Sequence, residues 1–422
     1  MLNDIKKYIA YLSNADEGKR TKIKIIIILL SILSLLIINK YFLIRFANSD
    51  DFQIHSALSQ LLFFKGISPY SQDISSVLAN YFSTRAVTLY SFKILFQLPI
   101  YHLIFYLPFS LITDLNWSFI IWLTVNQFLF LLCIENCFKL LKWDPKNWLK
   151  IVLMGTGLIT FFGVSNFLVP NASIIQLLFL ILGIKYLFFE KYVIAGLFIG
   201  LATIDPFNFF IPIVFVLALL ISRKQFEVLI WFLISIVLLS LTGLIFDSGW
   251  ALKMLRNVFL EGSFYPFIDY NHALLNWISK LSSGNIIKFV PILLIIWIFM
   301  EYSRLPKQNS NQLFWLLSLV SCINPFVIMR ETNYASVLYL FPMVFIVYLW
   351  EYHSTGTINK VIYGILFLTA TAIPLVSLLL PGVFSFLENF HSINLINSIV
   401  LIMVLYWIRW WVIKPYDYLM IE

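Results

Sequence analysis

Charged residues are scarce in this chain. Asp, Glu, Lys and Arg make up 12% of its 422 residues, whereas soluble domains carry about 25%. Half the usual charge over the whole length excludes a soluble domain on a membrane tether and indicates a polypeptide that lies mostly in lipid. The mean hydropathy of +0.89 and an apolar content of 61% agree with this interpretation.

Cysteine is equally rare, with three residues in the chain. Cys133 and Cys137 share one apolar run and Cys322 lies in another, all without partners at metal-ligand spacing. The sequence therefore has neither a disulfide framework nor a thiolate metal site. We expect the three side chains to be small packing residues.

Several catalytic motifs are missing as well: a phosphate-binding glycine-rich loop, a zinc-type His/Glu pattern, and a Ser-His-Asp set with a nucleophile elbow. Their absence disfavours nucleotide-driven transport and the usual kinds of hydrolysis. We expect no cofactor, and nothing in the sequence supports a divalent metal. The net charge of +8 does not indicate nucleic-acid binding, because the Lys and Arg residues form short clusters between apolar runs. Clusters in that position orient a membrane protein and contact anionic lipid headgroups.

Long apolar runs are what the sequence does contain. They are continuous rather than alternating, and backbone groups in hydrocarbon must pair within the segment, so helices are predicted instead of barrel strands. We predict an all-α, polytopic fold with about twelve spans in a single domain over 1–422. The candidate spans are 23–44, 117–138, 149–163, 172–189, 192–204, 207–222, 226–246, 287–303, 312–329, 333–350, 359–381 and 394–413.

A further apolar stretch at 94–113 is interrupted by Pro99 and Pro108. It suits a full span, a re-entrant piece or an interfacial helix. The basic loops share one side with the basic N-terminus only if this stretch does not cross completely, and the positive-inside rule favours that arrangement. We expect a multi-pass protein of a bacterial-type plasma membrane with both termini in the cytoplasm. The long loops 45–93 and 247–286 then lie on the opposite side.

Two adjacent carboxylates, Asp50 and Asp51, follow the first span in the stretch NSDDFQIHSALSQLLFFKGISPY. The apolar spacing after them predicts an amphipathic helix over 52–64 that lies on the bilayer surface. Acids at a helix start are favoured by the helix dipole and by capping, which explains them without chemistry. A role of one of them as a base is the alternative, and both interpretations stay open.

Other polar residues stand at turns on the same side. Asp205, which precedes a proline, suits a polar pocket at a helix break or a simple capped turn. Arg330 could neutralise a phosphate, or could form an ion pair with Glu331 in a solvated turn. His272 lies among aromatic residues that suit a sugar, a lipid headgroup or an interfacial belt.

The order of these features resembles the GT-C superfamily of integral-membrane glycosyltransferases, and most of all its family 87 of polyprenyl-phosphate-mannose-dependent mannosyltransferases. The resemblance covers roughly residues 40 to 350. The segments that carry it are DFQIHSALSQLLFFKGISPY, LPIYHLIFYLPFSLI, IAGLFIGLATIDPFNFFIPIVFVLALLISRK and NPFVIMRETNYASVLYLFPMVFIV.

The resemblance implies inverting transfer of mannose, or a similar hexose or pentose, from a polyprenyl-phosphate donor to a lipid, glycan or protein acceptor at the outer face. Asp51 matches the acidic residue of the family's first non-cytoplasmic loop and would be the general base, with Asp50 as its neighbour. Positive charge or oriented donors would stabilise the leaving phosphate, and the candidates for this are Arg330, Arg85 and His272. The substrate-binding candidates are Tyr70, Arg85, Asn171, Asp205, His272, Arg330 and Glu331.

Three departures from the family pattern leave the donor sugar open: Asn171 replaces a Gly-Gln pair, Asp205 replaces a lysine before proline, and MRETNY lacks a histidine. Two other functions also stay open. A transporter or flippase of lipid-linked sugars would have broken helices and internal repeats. A ligase or polymerase of lipid-linked glycans would use Arg and His in a large outer loop, where Arg256 and His272 stand.

Overall fold

The computed structural model describes residues 17–45, 47, 49–83, 96–159, 163, 166–167, 171–260, 290–304, 310–327, 333–353 and 390–413. Within these residues every regular element is helical and no strand occurs, so the all-α prediction is confirmed. The α-helices are α1 Glu17–Tyr41, α2 Asp50–Lys65, α3 Ile74–Ser83, α4 Leu107–Ser110, α5 Leu115–Leu140, α6 Asn147–Ile159, α7 Ser173–Phe188, α8 Tyr192–Leu201, α9 Phe210–Ser222, α10 Phe226–Phe246, α11 Trp250–Leu260, α12 Val290–Arg304, α13 Ser310–Val327, α14 Leu340–His353 and α15 Phe390–Ile413. Three 3-10 helices join them, at Leu43–Arg45, Ile100–Tyr106 and Asn333–Tyr339.

Each predicted span overlaps a helix of the structure, except 359–381, which lies outside the described residues. Three helical segments among them are long and apolar enough to cross a membrane, namely Leu115–Leu140, Phe226–Phe246 and Ile396–Ile413. The bent pair Leu29–Arg45 with Asp50–Lys65, whose two parts meet at 111°, adds a fourth only if its two parts are counted as one span. Large apolar side chains lie exposed along α10, as a lipid-facing helix requires.

Many of the described basic residues lie at one end of the helix bundle. Lys185 at the end of α7 donates a 2.8 Å hydrogen bond to Asn136 near the end of α5. Trp143, just after α5, donates one of 2.6 Å to Glu351 near the end of α14. We call this the basic end, defined by Lys139, Lys185, Arg223, Arg304 and Arg409.

The opposite end, here the far end, is defined by Asp51, Asp205 and Asp247. Helix α1 arrives there, because Lys40 lies 4.5 Å above the ring of Trp117 in the first turn of α5. Helix α5 leaves from the same end toward the basic end. Between them, the Ile100–Tyr106 helix and α4 both pack against α2 at this end.

The far end is recessed because α8 and α9 are short. Gly200 packs so closely on α10 that a Cβ there would lie 2.4 Å from the Cβ of Ser235. Helix α10 continues eleven residues beyond Ser235, to Phe246, a distance of about 16 Å at the usual helical rise. The turn between α8 and α9, here called the floor, thus lies well below the end of α10, here called the rim.

Helix α2 lies over this floor, and here one prediction was wrong. The stretch 52–64 is helical, but protein buries it on most of its circumference, so it is not a helix exposed along one face. Its polar residues bond to protein instead of water: Ser59 donates to the carbonyl of Leu103 at 3.0 Å, and Tyr81 donates to Gln60.

The three cysteines, Cys133, Cys137 and Cys322, are buried and form no disulfide, as expected of packing residues.

Candidate functional site

The two adjacent aspartates, Asp50 and Asp51, are the first two residues of α2. Ser49 is the N-cap residue, and its hydroxyl accepts a 2.8 Å bond from Gln53. Acids in the first helical turn are favoured by the helix dipole. Asp50 is exposed, while Asp51 is partly buried. Burial, and after it the charge of Asp50, raises the pKa of the Asp51 carboxyl. No described residue donates a hydrogen bond to this carboxylate.

His55 lies one turn beyond Asp51 and thus on the same face of α2. Burial lowers the pKa of its imidazole to about 4, so the ring is neutral at pH 7. Its Nδ1 atom is buried and has no hydrogen-bond partner among the described residues. The ring centroid lies 5.0 Å from that of His102 and 5.1 Å from that of Tyr106.

Tyr106 lies near two acids that are far apart in the sequence, Asp51 and Asp205. It ends the Ile100–Tyr106 helix and stacks on Trp122 of α5 with ring centroids 4.8 Å apart. Burial raises the pKa of its hydroxyl, and the charges of Asp51 and Asp205 raise it further, while the Ala172 backbone partly offsets them. Two of the acids predicted for the site therefore lie within electrostatic reach of one phenol.

Asp205 caps the turn that forms the floor. Its Oδ1 accepts from the backbone N–H groups of Phe207 and Asn208 at 3.2 and 3.3 Å, and its Oδ2 accepts from the Asn208 side chain at 2.7 Å. Gln176 fixes the same turn by donating 2.7 Å bonds to the carbonyls of Ala202 and Asp205. The capped turn is thus present, but it is buried and not on the surface, since Asp205 is 5% exposed.

Of two further asparagines, Asn171 binds the start of α7 and Asn324 holds the floor to a neighbouring helix. The side chain of Asn171 accepts a 2.7 Å bond from the N–H of Ser173 at the start of α7. Asn324 of α13 donates a 2.8 Å bond to the carbonyl of Asn208. Among the predicted site residues, Arg85, His272, Arg330 and Glu331 lie outside the described residues.

The rim contains a third acid, Asp247, between α10 and α11. Lys253 donates to both of its carboxylate oxygens at 2.9 Å, and the Ser68 hydroxyl and the N–H of Gly249 donate as well. Burial alone would raise the pKa of Asp247, but these donors outweigh it and the pKa lies below its usual value. Tyr70, predicted to bind substrate, is buried nearby and donates its hydroxyl to a backbone carbonyl at 2.5 Å.

Several buried polar atoms near α5 and α7 have no hydrogen-bond partner among the described residues. They are the indole nitrogen of Trp122, the side-chain oxygen of Asn126 one turn further along α5, and the side-chain oxygen of Gln176. Buried polar groups are nearly always paired in proteins. Such atoms therefore mark a place where a polar molecule or water would find partners.

Sequence reasoning did not select His55, His102, Tyr106 and Asp247 as site residues. A signal for His55 was present, because it stands four residues after Asp51 and so shares one face of α2. His102 and Tyr106 gave no such signal, because they lie in a 3-10 helix, in which residues three apart share a face. Asp247 gave no such signal, because its partner Ser68 lies 179 residues away.

The described residues include no group of three His, Cys, Asp or Glu side chains that could hold a metal ion. The described side chains around Asp51 supply a carboxylate, an imidazole and phenols. Models of known protein families and curated protein sequences yield no match to this chain.

Proposed function

We propose that the protein is a membrane glycosyltransferase that moves a sugar from a polyprenyl-phosphate donor to a lipid, glycan or protein acceptor, with inversion and with Asp51 as general base. The observation that carries this proposal is the environment of Asp51. Its carboxylate is partly buried, has no described donor, and has a raised pKa. A base works best when its pKa is moved toward the working pH.

In the proposed step, the Asp51 carboxylate takes the proton of an acceptor hydroxyl. The acceptor oxygen forms a bond to the anomeric carbon while the bond from that carbon to the phosphate oxygen breaks. The electron pair of the broken bond leaves on polyprenyl phosphate. General-base assistance of this kind contributes about two to four orders of magnitude in rate.

His55 would act beside this base. Its neutral ring shares the face of α2 with Asp51, and its buried Nδ1 offers a hydrogen-bonding position for a sugar or acceptor hydroxyl. The aromatic rings of Phe52, Tyr106 and Trp122 are fully buried and pack against one another, with Phe52 and Trp122 centroids 5.6 Å apart, so they hold α2, the Ile100–Tyr106 helix and α5 together next to Asp51. Arg85, His272 and Arg330 stay the predicted partners of the leaving phosphate.

The sidedness of the bundle supports an outward-facing site. Lys and Arg near the ends of membrane helices mark the cytoplasmic side. With the basic end in the cytoplasm, the helices would make a multi-pass protein of about twelve spans with both termini inside. The Asp51 recess would then open away from the nucleotide pool, where a lipid-phosphate donor is needed.

The arrangement around Asp205 gives no support to the transporter alternative. A transporter would place this acid at a break within one helix. Here Gln176, near the start of α7, holds the turn after α8, and Asn324, near the end of α13, accepts from the N–H of Ile211 at the start of α9. Helices α8 and α9 therefore run in opposite directions, and Asp205 lies in a hairpin turn.

The test uses purified full-length protein in lipid nanodiscs with a panel of radiolabelled polyprenyl-phosphate sugars and a lipid acceptor extract. We expect one donor to be consumed by the wild type, and Asp51→Asn to lose this transfer while keeping its thermal stability. Transfer that survives in Asp51→Asn would assign the base to another residue. A wild-type protein that consumes no donor would contradict the glycosyltransferase proposal.

A further inference from the structure

A groove at the basic end lies apart from the recess around Asp51. It is lined by apolar side chains of α7, α9 and α13, with Arg223 and Gln225 at one edge. The apolar lining residues are Ile184, Leu187, Phe188, Phe215, Val216, Leu219, Leu313, Phe314 and Leu317. The groove contains about 530 Å³ of empty space when the part open to the surroundings is counted.

The edge of the groove is polar and positively charged. Arg223 follows the end of α9, and Lys224, in a left-handed conformation with φ 56°, is exposed beside it. The side-chain oxygen of Gln225 is buried without a hydrogen-bond partner among the described residues. The positive charge of Arg223 and Lys224 favours an anion at this edge, and a hydroxyl donor nearby would pair with the side-chain oxygen of Gln225.

We propose that this groove binds one acyl chain of an anionic glycerophospholipid whose head group carries hydroxyls, such as phosphatidylglycerol. The chain would lie along the Leu, Ile and Phe side chains, its phosphate would pair with Arg223 and Lys224, and a head-group hydroxyl would donate to Gln225. Basic pockets between helices at the cytoplasmic side are known to select anionic lipids. The proposal rests on membrane embedding and is independent of the glycosyltransferase chemistry.

The first experiment measures lipid retention. Full-length protein from nanodiscs of equal phosphatidylglycerol and phosphatidylcholine is delipidated mildly, and the bound lipids are counted by native mass spectrometry. We expect phosphatidylglycerol to be retained over phosphatidylcholine. Arg223→Gln should lower its retention roughly tenfold, the scale of one charge-assisted hydrogen bond, and Gln225→Met should lower it less. Lys146→Gln, which removes an exposed cation away from the groove, is the matched control and should change nothing.

The second experiment needs no substitution and so does not depend on how a variant folds. Phosphatidylglycerol with a photoreactive group near the end of one chain is crosslinked to the wild-type protein, and the labelled peptides are identified. We expect labels within 184–188 or 313–317. Labels confined to the exposed face of α10 would show only surrounding bilayer lipid and would overturn the proposal. Equal retention of both lipids, or full retention in Arg223→Gln and Gln225→Met, would overturn it as well.

Discussion

Asp51 and Asp247 lie at the same end of the molecule and have opposite environments. Three groups donate hydrogen bonds to Asp247, from Lys253, Ser68 and Gly249, and its pKa is lowered. No described residue donates to Asp51, and its pKa is raised by burial and by Asp50. The difference shows that the number of donors, and not burial alone, decides whether an acid here is held as a stable anion.

The same difference separates two kinds of role. A carboxylate surrounded by donors fixes the chain: Asp247 ties the segment after α2 to the start of α11. A carboxylate without donors can take a proton, because nothing stabilises its charge beyond solvent and the helix N-terminus. The first arrangement is expected of a structural contact and the second of a base. Substitutions at both acids and at nearby polar residues test whether the two acids differ in role in this way.

The largest effect is expected at Asp51. Asp51→Asn should lower kcat for sugar transfer by about two to four orders of magnitude, since it removes the proton acceptor, while the melting temperature stays equal or rises. Asp50→Asn is the matched control, since it removes an adjacent, exposed carboxylate. Comparable losses of kcat in both variants would show that the negative charge of the pair matters and that Asp51 has no individual role as a base.

The next effect concerns His55 and pH. Its pKa is 6.5 when unperturbed and about 4 in the folded protein, so between these values the unfolded chain binds the additional proton. The free energy of unfolding should therefore fall as the pH is lowered from 6.5 to 4, by at most about 1.4 kcal/mol per pH unit. His55→Asn should flatten this part of the stability curve, measured by thermal unfolding across the pH range. An unchanged curve would contradict a buried neutral imidazole.

Asp247 should give a stability effect without a catalytic one. Asp247→Asn leaves the ammonium of Lys253 without its anion and weakens the bond from Ser68, so the free energy of unfolding should fall by about 1–3 kcal/mol. Because the folded-state pKa is lowered, the wild-type contribution is present above the ordinary aspartate value and is lost as the pH falls through the lowered one. We expect the folded Asp247→Asn variant to retain the wild-type kcat. A loss of kcat as large as that of Asp51→Asn would contradict a purely structural role of Asp247.

Sequence patterns predicted the helices well because apolar runs specify buried or lipid-facing segments directly. They also selected Asp51 and Asp205, which the fold brings near Tyr106. They were wrong about the surroundings of α2, because periodicity gives a helix but does not show that other segments cover its polar face. The contact of Asp247 with Ser68, 179 residues apart, depends on how α10 and α2 meet, which no local pattern contains.

The smallest effect compares two asparagines, each 0% exposed. Asn39 of α1 exchanges hydrogen bonds of 2.8 and 3.0 Å with Gln127 of α5 and donates one of 2.9 Å to Thr124. Asn126, also on α5, donates only to the carbonyl of Trp122 in its own helix, at 2.9 Å, and its side-chain oxygen has no partner among the described residues.

Asn39→Leu should lower the free energy of unfolding, with a coupling to Gln127→Leu of about 0.6 kcal/mol and at most about 1.7 kcal/mol in a double-mutant cycle, the average and maximum found for hydrogen bonds between membrane helices. Asn126→Leu should be neutral or stabilising, because it removes a buried oxygen that lacks a donor. Reversible unfolding in detergent measures both. If Asn126→Leu were instead the more destabilising of the two, the unpartnered atoms near Trp122 would be structural, and the view of the recess as a place kept open for a polar ligand would fail.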